Sequence, residues 1–167
     1  ACLNARVAPK CITYAEAHGT GTSVGDKTEA SVLGEVFGQR RSPEQQPLLI
    51  GSIKSNLGHT EAAAGVAGVI KAALCLKKQL IPKVVHFTAP NPELDFDQLN
   101  LSVPRSTTPW PVGEPPLASV SSFGFGGSNA CMILEAVPNT QTEHVPVNHS
   151  TDDEKPPGLL LLSAASN

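Results

Sequence analysis

Lys54 and His59 stand five residues apart in Gly51-Ser-Ile-Lys-Ser-Asn-Leu-Gly-His-Thr60, and His18 opens a loop in Glu16-Ala-His-Gly-Thr-Gly-Thr22. Loops that follow strands are where scaffolds present chemistry, and a cation and two imidazoles held there require a reason. His59 stands just before a Gly/Ala-rich run, Glu61 to Ala73, that reads as a helix. The dipole at that end of a helix disfavours an imidazolium, and a neutral ring can donate a hydrogen bond to a developing oxyanion. The plainer reading of His59 is a helix-cap histidine, and of His18 a structural one. Lys54 either orients His59 and adds positive potential or is a solvated surface lysine. Gly19 and Gly21 let a ligand approach the backbone closely, and Thr20 and Thr22 can hydrogen-bond along an amide-bearing chain.

A third stretch, Ser121 to Asn129, contains Phe123-Gly-Phe-Gly-Gly127. Glycine-rich turns can aim main-chain N–H groups into a site as an oxyanion hole. Phosphate cradling fits poorly, because no helix follows and the lysine and hydroxyl of a P-loop are missing. Metal binding fits less well still. Glu16 and Glu61 lie near the two histidines without ligand spacing, and His86, His144 and His149 fall in extended or linker segments. No metal site is expected.

These residues need elements to position them. Cys11 to Ala17 is β-branched and aromatic and predicts a strand that delivers His18. Asp26 and Glu29 have capping-box spacing, with Asp26 as N-cap of a helix through Ala30, Leu33, Val36 and Phe37 that Gly38 stops. Pro47 to Gly51 predicts a fully apolar strand, buried on both faces in a sheet covered by helices. Thr60 is the expected N-cap of a helix reaching Lys78. Its Gly65, Gly68 and Ala72 form a small-residue face for close packing. Ile81 to Pro116 is proline-punctuated and reads as extended chain with one short strand at Leu99 to Val103. Strands are predicted at Leu117 to Val120 and Ala130 to Leu134. Beyond Val137 the composition shifts to that of a linker, so 1–137 reads as the folded part and 138–167 as linker.

The bulk numbers narrow the function classes. Apolar residues make up 40% and charged residues 16% of 167 residues, with a net charge of −3, which describes an ordinary soluble globular protein slightly poor in charge. Without a basic block, and with 4% aromatics, the chain fits neither nucleic acid nor an anionic membrane surface. Glu61, Lys71, Lys77 and Lys78 confine the uncharged helical run to about half the length a bilayer needs. The four cysteines lack C-x-x-C spacing and read as free, mostly buried thiols in a reducing compartment, so the expected location is cytoplasmic. Both ends read as cuts in a larger protein, and the chain is expected to be a fragment.

Taken together, Glu16-Ala-His-Gly-Thr-Gly-Thr22, Lys54-Ser-Asn-Leu-Gly-His59 and Ser122-Phe-Gly-Phe-Gly-Gly-Ser-Asn129, in this order and spacing, resemble the β-ketoacyl synthase family. The likeness runs from Ala1 to about Val137 and is nearest to ketosynthase domains of polyketide synthases and animal-type fatty acid synthases. Leu159 to Ser163 resembles the start of the segment that leads to an acyltransferase domain in such megasynthases. The resemblance implies a thiolase-like α/β fold of two similar halves, usually dimeric, of which this chain is the C-terminal half. It implies decarboxylative Claisen condensation of an acyl thioester with malonyl-carrier protein. By the same resemblance, His18 and His59 promote decarboxylation and stabilise the thioester oxyanion, and Lys54 supports His59. Thr20 and Thr22 hydrogen-bond the phosphopantetheine arm, Phe125 gates the site and lends its N–H to the oxyanion hole, and Asn129 braces that turn. No cofactor is bound directly; the phosphopantetheine arm belongs to the acyl carrier protein. The implied partners are that carrier, the N-terminal half of the domain and a second copy.

The chain departs from the family in two respects. The nucleophilic cysteine of the family motif is not among Cys2, Cys11, Cys75 and Cys131, and Cys131 reads as a buried strand residue where relatives commonly carry histidine. A glutamate found nine residues after the second histidine in some bacterial stand-alone members is Gly68 here. A non-catalytic partner or chain-length-determining subunit, and a nucleotide-binding module built on the Phe123 to Gly127 turn, are the competing functions.

Overall fold

The structure is a computed structural model that describes residues 1–137; the linker expected over 138–167 lies outside the described residues. In chain order the elements are α1 (Cys2–Ala5), β1 (Tyr14–Glu16), α2 (Ser23–Leu33), β2 (Leu48–Gly51), α3 (Lys54–Leu57), α4 (Ala64–Lys78), β3 (Leu80–Ile81), β4 (Leu101–Ser102), β5 (Thr108–Pro109), β6 (Leu117–Phe123) and β7 (Asn129–Glu135). Five strands form one sheet in the order β4-β2-β1-β6-β7, and β3 pairs with β5.

β1 is central, with Tyr14 opposite Leu49 on one side and Ala118 on the other, both pairings parallel. Parallel neighbours need crossovers, and helices supply them. Successive β1 residues face opposite ways, so the strand feeds two cores. Ala15 packs with Ala30, Leu33 and Phe37 on the α2 side. Tyr14 packs with Ala72, Cys75 and Leu76 of α4 on the other. Leu48 and Ile81 are fully buried. Truncating either to alanine costs about 2–5 kcal/mol.

α4 approaches the sheet through its small face, in agreement with its sequence. A Cβ at Gly68 would lie 3.2 Å from Glu16 Cγ and 3.3 Å from Val120 Cγ1, and one at Gly65 would lie 3.2 Å from Ser122 Oγ. Ala72 is fully buried.

Several local expectations are corrected. β1 is shorter than Cys11 to Ala17, because Pro9–Cys11 forms a 3-10 turn. Thr22, not Asp26, caps α2, its Oγ1 accepting from Gly25 N–H at 3.2 Å. Asp26 instead accepts from Gly21 N–H at 3.1 Å. Beyond α2 a π turn, Gly34–Gly38, continues the helix. Gly34 and Gly38 are small because the chain at Leu99 lies against them: a Cβ on Gly38 would fall 2.1 Å from Leu99 O. Thr60 makes no side-chain cap; a 3-10 turn, Glu61–Ala63, intervenes before α4. β6 and β7 run into the glycine-rich stretch from both sides and leave only Gly124 to Ser128 as turn. Backbone bonds Gly124 N–H to Ser128 O (2.7 Å) and Gly127 N–H to Gly124 O (2.9 Å) close it. Cys131 is exposed rather than buried, because β7 is the sheet's edge strand and its first four residues are uncovered. Only Cys75 of the four thiols is buried.

Candidate active site

Three segments leave the sheet at one end: His18 after β1, Ser52 to His59 after β2, and the hairpin after β6. The parallel register of β1, β2 and β6 brings these ends together. The ring centroids of His18 and His59 lie 5.5 Å apart, edge to face at 85°. The Phe123 ring packs 5.3 Å from His18.

Each imidazole has one nitrogen committed. Phe123 N–H donates to His18 Nδ1 at 3.4 Å, and Glu61 N–H donates to His59 Nδ1 at 3.0 Å. An Nδ1 that accepts carries no proton, so the ring proton resides on Nε2. Two Nε2–H donors therefore result from two main-chain contacts. The left-handed backbone at Glu61 (φ 49°) accompanies the second of them.

The electrostatics favour neutrality at His18. Burial first, then the positive charge of Lys54, then His59, hold its pKa below the ordinary histidine value, with Asp26 pulling weakly the other way. Burial lowers the Lys54 pKa, and the carboxylates of Glu16 and Glu29 oppose that. Lys54 lies in the single turn α3, and both it and His59 line one cavity. Among the described residues Lys54 makes no hydrogen bond to His59. Its charge is felt at His18.

That cavity, about 460 Å³, is polar at Thr20, Lys54 and His59 and apolar at Leu33, Phe87 and Leu94. Thr20 Oγ1 lies 3.4 Å from Thr22 Oγ1. Thr22 also caps α2, so its hydroxyl lone pairs are partly used. Phe125 sits fully exposed at the hairpin tip. Asn129 opens β7 opposite Phe123, also exposed. Phe123, rather than Phe125, is the aromatic residue in contact with a histidine.

Two supporting residues were not assigned from the sequence. Glu29 accepts from the main-chain N–H of His18 (2.8 Å) and Gly19 (2.9 Å), reaching back across the loop instead of completing a capping box. Glu16, 2% exposed, receives Lys71 Nζ at 2.8 Å and also Tyr14 O–H and Ile53 N–H. The signal for Glu16 was a charge set within apolar sequence, Glu16 in a strand and Lys71 amid the apolar run of α4. Among the described residues no group of three or more His, Cys, Asp or Glu could hold a metal ion, and no helix is long and apolar enough to cross a membrane.

A parallel-centred α/β sheet gathers two imidazoles and a lysine at its strand ends, an arrangement whose chemistry is suited to stabilising negative charge on oxygen. The chain belongs to the β-ketoacyl synthase family, matching the β-ketoacyl synthase C-terminal domain over residues 1–88 and the ketoacyl-synthetase C-terminal extension over residues 90–167. It is 53% identical over 133 residues to a phenolphthiocerol/phthiocerol polyketide synthase of Mycobacterium tuberculosis, covering 79% of this chain and 7% of that protein. It is 44% identical over 164 residues to the hybrid PKS-NRPS synthetase pynA of Aspergillus niger, covering 95% of this chain and 4% of that one. Among solved structures it resembles the ketosynthase from module 6 of the bacillaene synthase of Bacillus subtilis 168 (TM-score 0.75, 41% identity, 82% of this chain and 25% of that one). It also resembles an oxazolomycin ketosynthase domain of Streptomyces albus JA3453 (TM-score 0.76, 35% identity, 83% of this chain and 37% of that one). The fold is the expected thiolase-like α/β arrangement. The chain spans less than a tenth of the length of the curated relatives named here.

Proposed function

We propose that this chain is the C-terminal half of a polyketide-synthase ketosynthase domain and supplies the electrophilic side of a decarboxylative Claisen condensation. The observation that carries this reading is the His18–His59 pair, edge to face with both Nδ1 atoms occupied by main-chain N–H groups. Malonyl thioester loses carbon dioxide as its C–C bond breaks, and the electron pair develops on the thioester oxygen as an enolate. Two Nε2–H donors stabilise that charge without quenching the carbanion, which an imidazolium would protonate. The α-carbon then attacks an acyl thioester on a cysteine of the N-terminal half, forming the new C–C bond. The cysteine leaves as thiolate.

In this reading Lys54 holds positive potential at His18 and supports His59 from the same loop. Thr20, which lines the cavity, and Thr22 beside it receive the amides of the phosphopantetheine arm. Phe125 gates the hairpin, and Asn129 braces it. The partners are an acyl carrier protein, the N-terminal half and a second copy of the domain, in the cytoplasm, with 138–167 as the linker onward. The isolated chain is inactive because its nucleophile is elsewhere.

The test is reconstitution: the chain fused to or co-expressed with the N-terminal half, given acyl- and malonyl-carrier proteins, with carbon dioxide release followed. We expect turnover, and loss of at least about 100-fold on His59→Ala. An unchanged rate in that variant sinks the assigned role, and no turnover with the intact pair favours a non-catalytic role.

A further inference from the structure

We propose that Glu16 is a positioning residue that sets the spacing of the two histidines, tying the segment that carries Lys54 and His59 to the strand that carries His18. This rests on the function proposed above.

Glu16 is the last residue of β1, two before His18. Its carboxylate accepts the N–H of Ile53, the residue before Lys54, and so joins the exit of β1 to the entry of α3. On its other side it receives Lys71 Nζ from α4 at 2.8 Å, and the Tyr14 hydroxyl donates to it. Lys71 also stands 5.5 Å over the Tyr14 ring, which fixes the ammonium laterally. One buried carboxylate thus fastens three elements: β1, α3 and α4. A buried carboxylate with so many donors holds a single geometry, because every alternative leaves a charge unpaired.

Gly68 is the second half of the device. A Cβ there would lie 3.2 Å from Glu16 Cγ and 3.8 Å from its Oε1. The space a side chain at position 68 would enter is occupied by Glu16 and bounded by Val120 Cγ1 at 3.3 Å, so shortening Glu16 opens the side toward β1. Strand and helix can therefore offer a carboxylate to the same point, and this chain uses the strand. A carboxylate moved to position 68 should reach the same donors once Glu16 is shortened.

The experiment uses the complete ketosynthase of which this chain is the C-terminal half, with malonyl-carrier protein as substrate and carbon dioxide release as readout. Glu16→Ala is expected to lower kcat by roughly 10- to 100-fold with KM within about threefold, the size of effect that misplacing a reacting group produces. Because Glu16→Ala strands the Lys71 ammonium, the variant Glu16→Ala with Lys71→Met removes both charges. Tyr14 O–H and Ile53 N–H still lose their acceptor, so it should melt below the wild type but above Glu16→Ala, while keeping the kcat loss. Glu16→Ala with Gly68→Glu should regain most of kcat. Wild-type kcat in the Glu16→Ala, Lys71→Met variant overturns the proposal, and so does a relocated carboxylate no better than Glu16→Ala. His59→Ala is run alongside: if it too is silent, the functional reading has failed, and if it is dead while the Glu16 variants are normal, only the positioning role has.

Discussion

Glu29 holds His18 by the backbone, its two carboxylate oxygens accepting the N–H of His18 at 2.8 Å and of Gly19 at 2.9 Å. The imidazole is thus placed by a contact that leaves its ring free. Burial raises the pKa of Glu29, and the two N–H donors oppose that shift.

Glu29→Ala leaves two partly buried N–H groups without an acceptor, at about 1–3 kcal/mol in total stability. We expect a lower melting temperature and a lower kcat for decarboxylation in the complete ketosynthase, with Glu29→Gln intermediate because its amide offers a single acceptor oxygen. Calorimetry and carbon dioxide release on the three proteins check this. Equal stability of wild type and Glu29→Ala would show that the clamp contributes nothing.

His18 titrates below the ordinary histidine value because of burial and the charge of Lys54. A histidine whose folded-state pKa is depressed stabilises the fold above the unfolded value of about 6.5, and that contribution is lost as pH falls toward the folded pKa. Activity that needs the neutral ring should follow the same limb, rising with pH through the depressed pKa. Lys54→Met removes a positive neighbour and should move that limb upward. A pH–rate profile of both proteins decides it; coincident acid limbs would refute the coupling.

Gly38→Ala puts a Cβ 2.1 Å from Leu99 O, a backbone atom that cannot swing away. The expected penalty is about 1–3 kcal/mol or more, read as a lower denaturation midpoint of the ketosynthase. Gly126→Ala, with nothing within 4 Å of the added atom, should leave the midpoint unchanged. Comparable midpoints for the two variants would disprove the close approach.

Val66, Ile70 and Leu74 recur every four residues along α4 and are each about half exposed, and Leu57 of α3 is exposed as well. An apolar stripe of this kind promotes association in water. Expressed alone, the chain should aggregate, and co-expression with the N-terminal half should keep it soluble. A monodisperse, cooperatively melting monomer, seen by sedimentation and calorimetry, would contradict the half-domain reading.

The motifs, the apolar strand Leu48 to Ile50 and the small face of α4 are legible in the chain, because side-chain type and short-range period alone specify them. So is the delivery of His18 by a strand end. Capping is not legible where two candidates compete: Thr22 and Asp26 both suit an N-cap, and the loop's need for an acceptor at Gly21 decides which takes it. The exposure of Cys131 is hidden from the sequence because burial of a strand depends on whether another strand or a helix covers it. β7 is an edge.

By itself, the sequence determined the family, the identity of the two histidines and lysine, and the alternation of strands and helices, all of which are written in local pattern and motif spacing. Only the tertiary structure decided what the residues do to one another. The 5.5 Å between the imidazoles, the Phe123 N–H that commits His18 Nδ1, and the reach of Glu16 to Ile53 and Lys71 arise from how the strands and helices pack. Register is a long-range outcome of packing, and no local run of residues encodes which strand ends will meet.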